Sequence, residues 1–303
     1  MADGIDSATD HFHADWRMRH WRAPHEGRLK PGSEAHKQAF CRLLLDTHNP
    51  YKPAVIAWPA LAPDALARVI RLPIWDIAVQ TEGRASINVR SFAALERDPL
   101  LHAALSMDAD EEARHKQVLA KLVAAYGIAL APEPAYPPPK HPQLHWLKTG
   151  YSECIDSFFA FGLFAAAKKS GYFPPELVET FEPVMQEEAR HILFFVNWVA
   201  WRQRTLPLWR RPLFLALRAW VWLLIIRERI GMAREVDAGG NLQDPNFAAS
   251  GGQQVGVTLA PAALLDLCLA ENDRRMAGYD PRLLRPRLVP ALVRLVRRWL
   301  LRG

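Results

Sequence analysis

Cysteine is scarce in this chain. Its 303 residues include three, Cys41, Cys154 and Cys268, with no Cys-x-x-Cys pair. That usage leaves no basis for a disulfide framework or a thiolate metal site, and it fits a reducing, cytoplasmic setting. A membrane-spanning run is also missing. The most hydrophobic stretch, LFLALRAWVWLLII at residues 213–226, is interrupted by Arg218 and closed by Arg227 and Arg229, whereas a span needs about 20 apolar residues. The opening MADGIDSATDHFHADW lacks a basic segment followed by an apolar run, so it does not read as a secretory signal. Acids are absent from residues 281–303, which hold seven arginines; with a formal charge of +6 overall, the rest of the chain is nearly neutral. The basic pI therefore belongs to the tail, and a general nucleic-acid surface is not expected. A leucine- and arginine-rich tail of this kind suits a helix covering its own domain or peripheral contact with the inner face of an anionic membrane.

Half of the residues are hydrophobic, enough to bury a large core. Residues 1–62 are rich in His, Trp and Pro and read as an irregular arm with one short helix near 35–46. Long helical patterns follow over about 64–96, with Pro73 as a start or kink, and from Asp98-Pro99 to about 126. Six prolines between Ala131 and Pro142 cannot sustain helix and read as a crossover. A third helix is expected over about 143–169, stopped by Gly171, and a fourth from Pro174-Pro175 to about 204. Beyond 205, three more helices are expected, near 213–236, 262–277 and in the Arg-rich tail, with a Gly/Asn/Ser-rich loop after the first.

The sequence EEARH occurs twice, at residues 111–115 and 187–191. Glu112 and His115, like Glu188 and His191, are three apart and so share one face of a helix. Carboxylate and imidazole converging in this way suit a borderline transition metal better than magnesium or calcium. Each copy is preceded by a helix with a carboxylate among apolar or small residues. Glu82 lies 30 residues before Glu112, and Glu153 lies 35 before Glu188, spacings that bring mid-helix residues to equal depth in paired helices. Chance salt-bridged helix faces would not account for Glu82 and Glu153, which would be costly to bury unpaired.

The order Glu, Glu-x-x-His, Glu, Glu-x-x-His resembles the ferritin-like di-iron carboxylate superfamily, over about residues 65–204. The resemblance implies an all-α fold: a four-helix bundle with a long crossover at 63–205, an N-terminal arm at 1–62 packed on it, and a helical extension at 206–303. It implies that Glu82, Glu112 and His115 hold one iron and Glu153, Glu188 and His191 the other, with carboxylates of both halves bridging; a mixed manganese–iron pair is an alternative. The motif is similar to the (Asp/Glu)-Glu-x-Arg-His form of bacterial multicomponent monooxygenases, which implies supporting roles for Glu111, Arg114, Glu187 and Arg190 in orienting the imidazoles. Ser157, four residues after Glu153, takes the place of a Thr that faces the oxygen-binding side in those relatives; bonding back to the preceding turn is its simpler role.

Departures from other members narrow the activity. Leu119 stands where the ribonucleotide reductase small subunit has a radical-forming Tyr, Val184 where the para-aminobenzoate N-oxygenase type has a seventh ligand, and the paired thiolates of rubrerythrins are absent. The chain is also longer than ferritins. The resemblance thus implies an oxygenase that uses dioxygen as co-substrate to hydroxylate, N-oxygenate or desaturate a small organic substrate. No flavin or nicotinamide motif is visible, so an external reductase or ferredoxin is implied. A ferroxidase or peroxide-detoxifying protein, a tRNA-modifying hydroxylase and a non-catalytic membrane-associated bundle are the alternatives, and a homodimer is compatible with each. Phe158, Phe161, Phe164, Trp75 and Phe194 are candidates for a pocket lining, although core packing is the simpler role for each.

Overall fold

The computed structural model describes residues 7–231, 235–236, 242–243 and 260–300. The architecture is all-helical, apart from two-residue strands that pair antiparallel, Glu235 opposite Gln243 and Val236 opposite Leu242. Its helices are α1 (Ser7–His20), α2 (Glu34–Asp46), α3 (Pro63–Ile70), α4 (Trp75–Ala93), α5 (Pro99–Ala125), α6 (Pro142–Ser170), α7 (Pro175–Glu179), α8 (Glu182–Thr205), α9 (Arg211–Gly231), α10 (Pro261–Met276) and α11 (Leu288–Leu300). The expected loop at 237–254 and the end of the helix expected near 213–236 lie mostly outside the described residues.

Local chemistry sets the boundaries. Asp98 caps α5 by accepting from the backbone N–H groups of Leu100 and Leu101 at 3.0 and 3.2 Å, and Lys37 of α2 pairs with the same carboxylate. Gly171 ends α6 with φ of +63°, a left-handed conformation that only glycine adopts cheaply. The proline-rich residues 128–141 carry no regular structure and lead from α5 to α6. The fourth expected helix is divided into α7 and α8, because Pro183 lacks an N–H and its ring would clash with the carbonyl one turn earlier. The arm contains a helix, α1, that its few apolar residues do not announce; Ala14 and Met18, one turn apart, are buried against the rest of the molecule.

α4 packs along α5, α6 contacts both α4 and α8, and α8 also contacts α5. α2 lies across α5 and α8, while α10 packs on α6. Phe92, Trp146, Trp198 and Phe194 form an interlocked aromatic group in the largest core cluster. Burying each such side chain contributes about 1.5–3 kcal/mol. Two close approaches fix the position of α6. A Cβ on Gly150 would stand 2.2 Å from the Phe195 ring, and one on Gly162 would stand 2.3 Å from Cys268 Sγ and 2.9 Å from its Cα. Gly162→Ala is therefore expected to push α10 away from α6 and lower stability by about 1–3 kcal/mol, read as a lower urea midpoint with an unchanged slope. A wild-type midpoint would contradict this packing.

Candidate metal centre

Four helices carry the acids and imidazoles to one place. Glu82 sits on α4, Glu112 and His115 on α5, Glu153 on α6, and Glu188 and His191 on α8. One ligand atom from each of Glu112, His115, Glu188 and His191 lies within 4.8 Å of the others, and all four residues are buried. The two imidazole rings are 5.6 Å apart. His115 Nδ1 is 3.2 Å from Glu188 Oε1 and 3.7 Å from Glu82 Oε2; His191 Nδ1 is 2.8 Å from Glu112 Oε1. Each histidine thus faces the Glu of the other copy at least as closely as its own. Glu153 lies within electrostatic reach of Glu188, Asp108 and His191.

The outer nitrogens are anchored crosswise. His115 Nε2 meets Glu187 Oε2 at 2.9 Å, and His191 Nε2 meets Glu111 Oε2 at 2.8 Å. Arg190 donates to Glu111 Oε1 at 2.6 Å and to the Leu44 carbonyl at 2.9 Å, while Arg114 donates to Glu187. The acid of each EEARH therefore holds the imidazole of the opposite copy. Such bonds at Nε2 leave Nδ1 as the nitrogen turned inward.

Ser157 Oγ donates to Glu188 Oε2 at 2.9 Å rather than to the preceding turn, so it orients a carboxylate of the cluster. Three participants were not singled out from sequence. His48 Nδ1 lies 2.7 Å from Glu111 Oε1, and Tyr51 donates to Glu187 Oε2 at 3.3 Å, so the arm reaches both anchoring acids. Asp108, 1% exposed, places Oδ1 3.7 Å from His191 Nδ1. Its spacing was the available signal: four residues before Glu112 and seven before His115, it shares their helix face.

The electrostatics are those of a crowded acid cluster. Burial, then the neighbouring carboxylates Glu82, Glu153 and Glu188, push Glu112 well above the ordinary carboxylate range, and Glu153 is raised in the same way. Burial pushes Asp108 up to about 6, partly offset by His191. Burial would also raise Glu111, but Arg190, His191 and His48 outweigh it and hold that carboxyl well below its usual value. Burial pulls both histidines down; the carboxylates around them win, and both imidazoles stand well above their usual value.

The inward atoms fit a metal. Without a metal, His191 Nδ1 and Glu112 Oε1 share a proton at 2.8 Å and His115 Nδ1 and Glu188 Oε1 stand 3.2 Å apart, while Glu153 Oε1 and Asp108 Oδ1 are buried without a hydrogen-bond partner. A cation could replace the shared protons and satisfy the unpartnered oxygens, and the mixed imidazole and carboxylate set suits a divalent transition metal. Core packing accounts for the aromatic candidates for a pocket lining: Phe158 packs with Cys268 and Val289, Phe161 and Phe194 belong to the largest core cluster, and Trp75 and Phe164 pack in a third. A surface cleft of about 320 Å³ lined by Arg28, Lys30, Pro31 and Arg204 is separate from the acids, since Arg204 follows His191 by 13 residues of helix. No family model, curated protein or solved structure matches the chain.

Metal uptake must displace protons from His115 and His191, because both are protonated near neutrality when nothing else balances the acids. Affinity should rise with pH, by up to about tenfold per pH unit for each proton released, and go on rising above the ordinary histidine range because both imidazoles hold their protons more tightly than usual. Competition titrations with a chromophoric chelator read this directly, and a flat profile would contradict it. Asp108 gives a second test of opposite character. Its raised pKa means that its ionisation costs stability as pH rises from 3.8 through about 6. Metal-free Asp108→Asn should consequently be more stable than the parent near neutral pH by about 1–3 kcal/mol, with the gap closing on acidification. Denaturation at two pH values checks the sign; a variant equally destabilised at both would contradict it.

Proposed function

We propose that this chain is a ferritin-like di-iron oxygenase, in which α4, α5, α6 and α8 form the four-helix bundle and residues 126–141 its long crossover. The supporting observation is the pair of inward-facing Nδ1 atoms, each fixed from behind by an acid of the opposite EEARH and each within 3.2 Å of a carboxylate oxygen of the opposite copy. A single metal would leave Glu82 and Glu153 without a task. Two irons, or manganese and iron, would use all six side chains: Glu82, Glu112 and His115 would hold one and Glu153, Glu188 and His191 the other, with carboxylates of both halves shared between them.

When bound, such a pair supplies reductive activation of dioxygen. The protein's own contribution is positional. Glu111 and Glu187 keep the imidazoles aimed inward, Arg190 and Arg114 hold those two acids in place by hydrogen bonds, and Ser157 holds Glu188. A small organic substrate and an external electron donor, a reductase or ferredoxin, complete the reading.

Anaerobic titration with ferrous iron tests it. About two irons should bind per chain, with Glu112→Ala binding fewer, and oxygen uptake beyond about one per two bound irons should require an electron donor and an acceptable substrate. Repeated oxygen consumption sustained by excess ferrous iron alone would favour a ferroxidase; failure to bind two irons would overturn the di-iron reading.

A further inference from the structure

Twelve of the fifteen large apolar side chains exposed among the described residues fall in two segments, 208–226 and 288–299. Scattered exposed leucines are ordinary, whereas a concentration of this kind marks an interaction surface. The cause lies in how the two helices dock. α11 buries Val289 and Val293 and leaves Leu292, Leu295 and Trp299 at 49%, 52% and 73% exposure, so only one edge of its wide apolar face is covered. α9 docks through Phe214, Val221 and Ile225, with Arg218 donating to Tyr151 Oη at 2.6 Å, and leaves Trp220 and Leu223 about half exposed. Trp222 of α9 packs against the same small cluster as Val289 and Val293, and both helices rest on α6.

The charge around this face is mainly basic. Arg287 and Arg298 stand beside the apolar stripe of α11 and no acid occurs in residues 281–303, while Arg210 and Arg227 flank the exposed residues of the α9 segment; the acids near it are paired, Asp273 with Arg294, Asp266 with Arg297 and Glu228 with Lys148. Exposed Trp209 and Trp299 add side chains suited to the boundary between headgroups and acyl chains. We propose that the joint outer face of α9 and α11 is a peripheral docking surface for an anionic phospholipid bilayer. Among the described residues no helix is long and apolar enough to cross a membrane, so both would lie in its plane. A second copy of the chain is a poorer occupant, because face-to-face pairing would set arginines against arginines. Docking of this face is independent of what the acid cluster binds.

The test is co-sedimentation of the full chain with phosphatidylcholine vesicles, with and without phosphatidylglycerol. Binding is expected to the anionic vesicles and to weaken with salt. Leu292→Glu with Leu295→Glu should lower it by about tenfold or more, and Arg287→Glu with Arg298→Glu by about fivefold or more for each arginine. All four positions are exposed, and circular dichroism checks that the variants remain folded. Absence of binding to anionic vesicles, equal binding to both vesicle types, or an unchanged Leu292→Glu/Leu295→Glu variant would overturn the proposal. So would a wild-type dimer in gel filtration that this variant breaks without any vesicle binding.

Discussion

The crossed carboxylate–imidazole bonds are the interaction on which the centre of this molecule depends. Glu111 to His191 and Glu187 to His115 each join α5 to α8, and each acid is also held by an arginine, Arg190 or Arg114. These bonds turn a local repeat into a tertiary device: neither EEARH can orient its own imidazole, so the site exists only when the two helices are in register. Removing one partner of such a buried set typically costs 3–5 kcal/mol, because the charge left behind has no water to return to. The same bonds decide which nitrogen faces inward and leave the inner carboxylates crowded together.

That crowding has a physical cost which the surroundings only partly offset. Arg190 is fully buried, and its hydrogen bonds reach Glu111 and the end of α2 through the Leu44 carbonyl. The N-terminal helices are thus tied to the charge balance of the centre, and His48 and Tyr51 extend that tie. On the other side, buried Asn197 of α8 accepts from His36 Nε2 and from the Leu284 backbone N–H, both at 2.9 Å, and Arg275 of α10 meets Glu182 at the start of α8. Arm and extension both converge on α8, the helix that carries Glu188 and His191.

Much of this was legible in the sequence because it is local. The Glu-x-x-His spacing, Glu82 and Glu153 among apolar neighbours, the six-proline crossover and the Asp98 cap each have a cause within a few residues. Asp108 was equally legible by its spacing from Glu112 and His115. The crosswise anchoring was not, since it depends on how α5 and α8 face one another. His48 and Tyr51 lie more than 50 residues before the acids they meet, on a segment without periodicity. The division of α7 from α8 was available in Pro183, whereas α1 packs through Ala14 and Met18 without an apolar periodicity to announce it.

If the two copies interlock around a pair of metal ions, anomalous diffraction at the iron edge from crystals grown with ferrous iron should show two peaks, about 3.5–4 Å apart, one beside His115 Nδ1 and the other beside His191 Nδ1. A single peak, or density lying outside the inner carboxylates of Glu112 and Glu188, would contradict it.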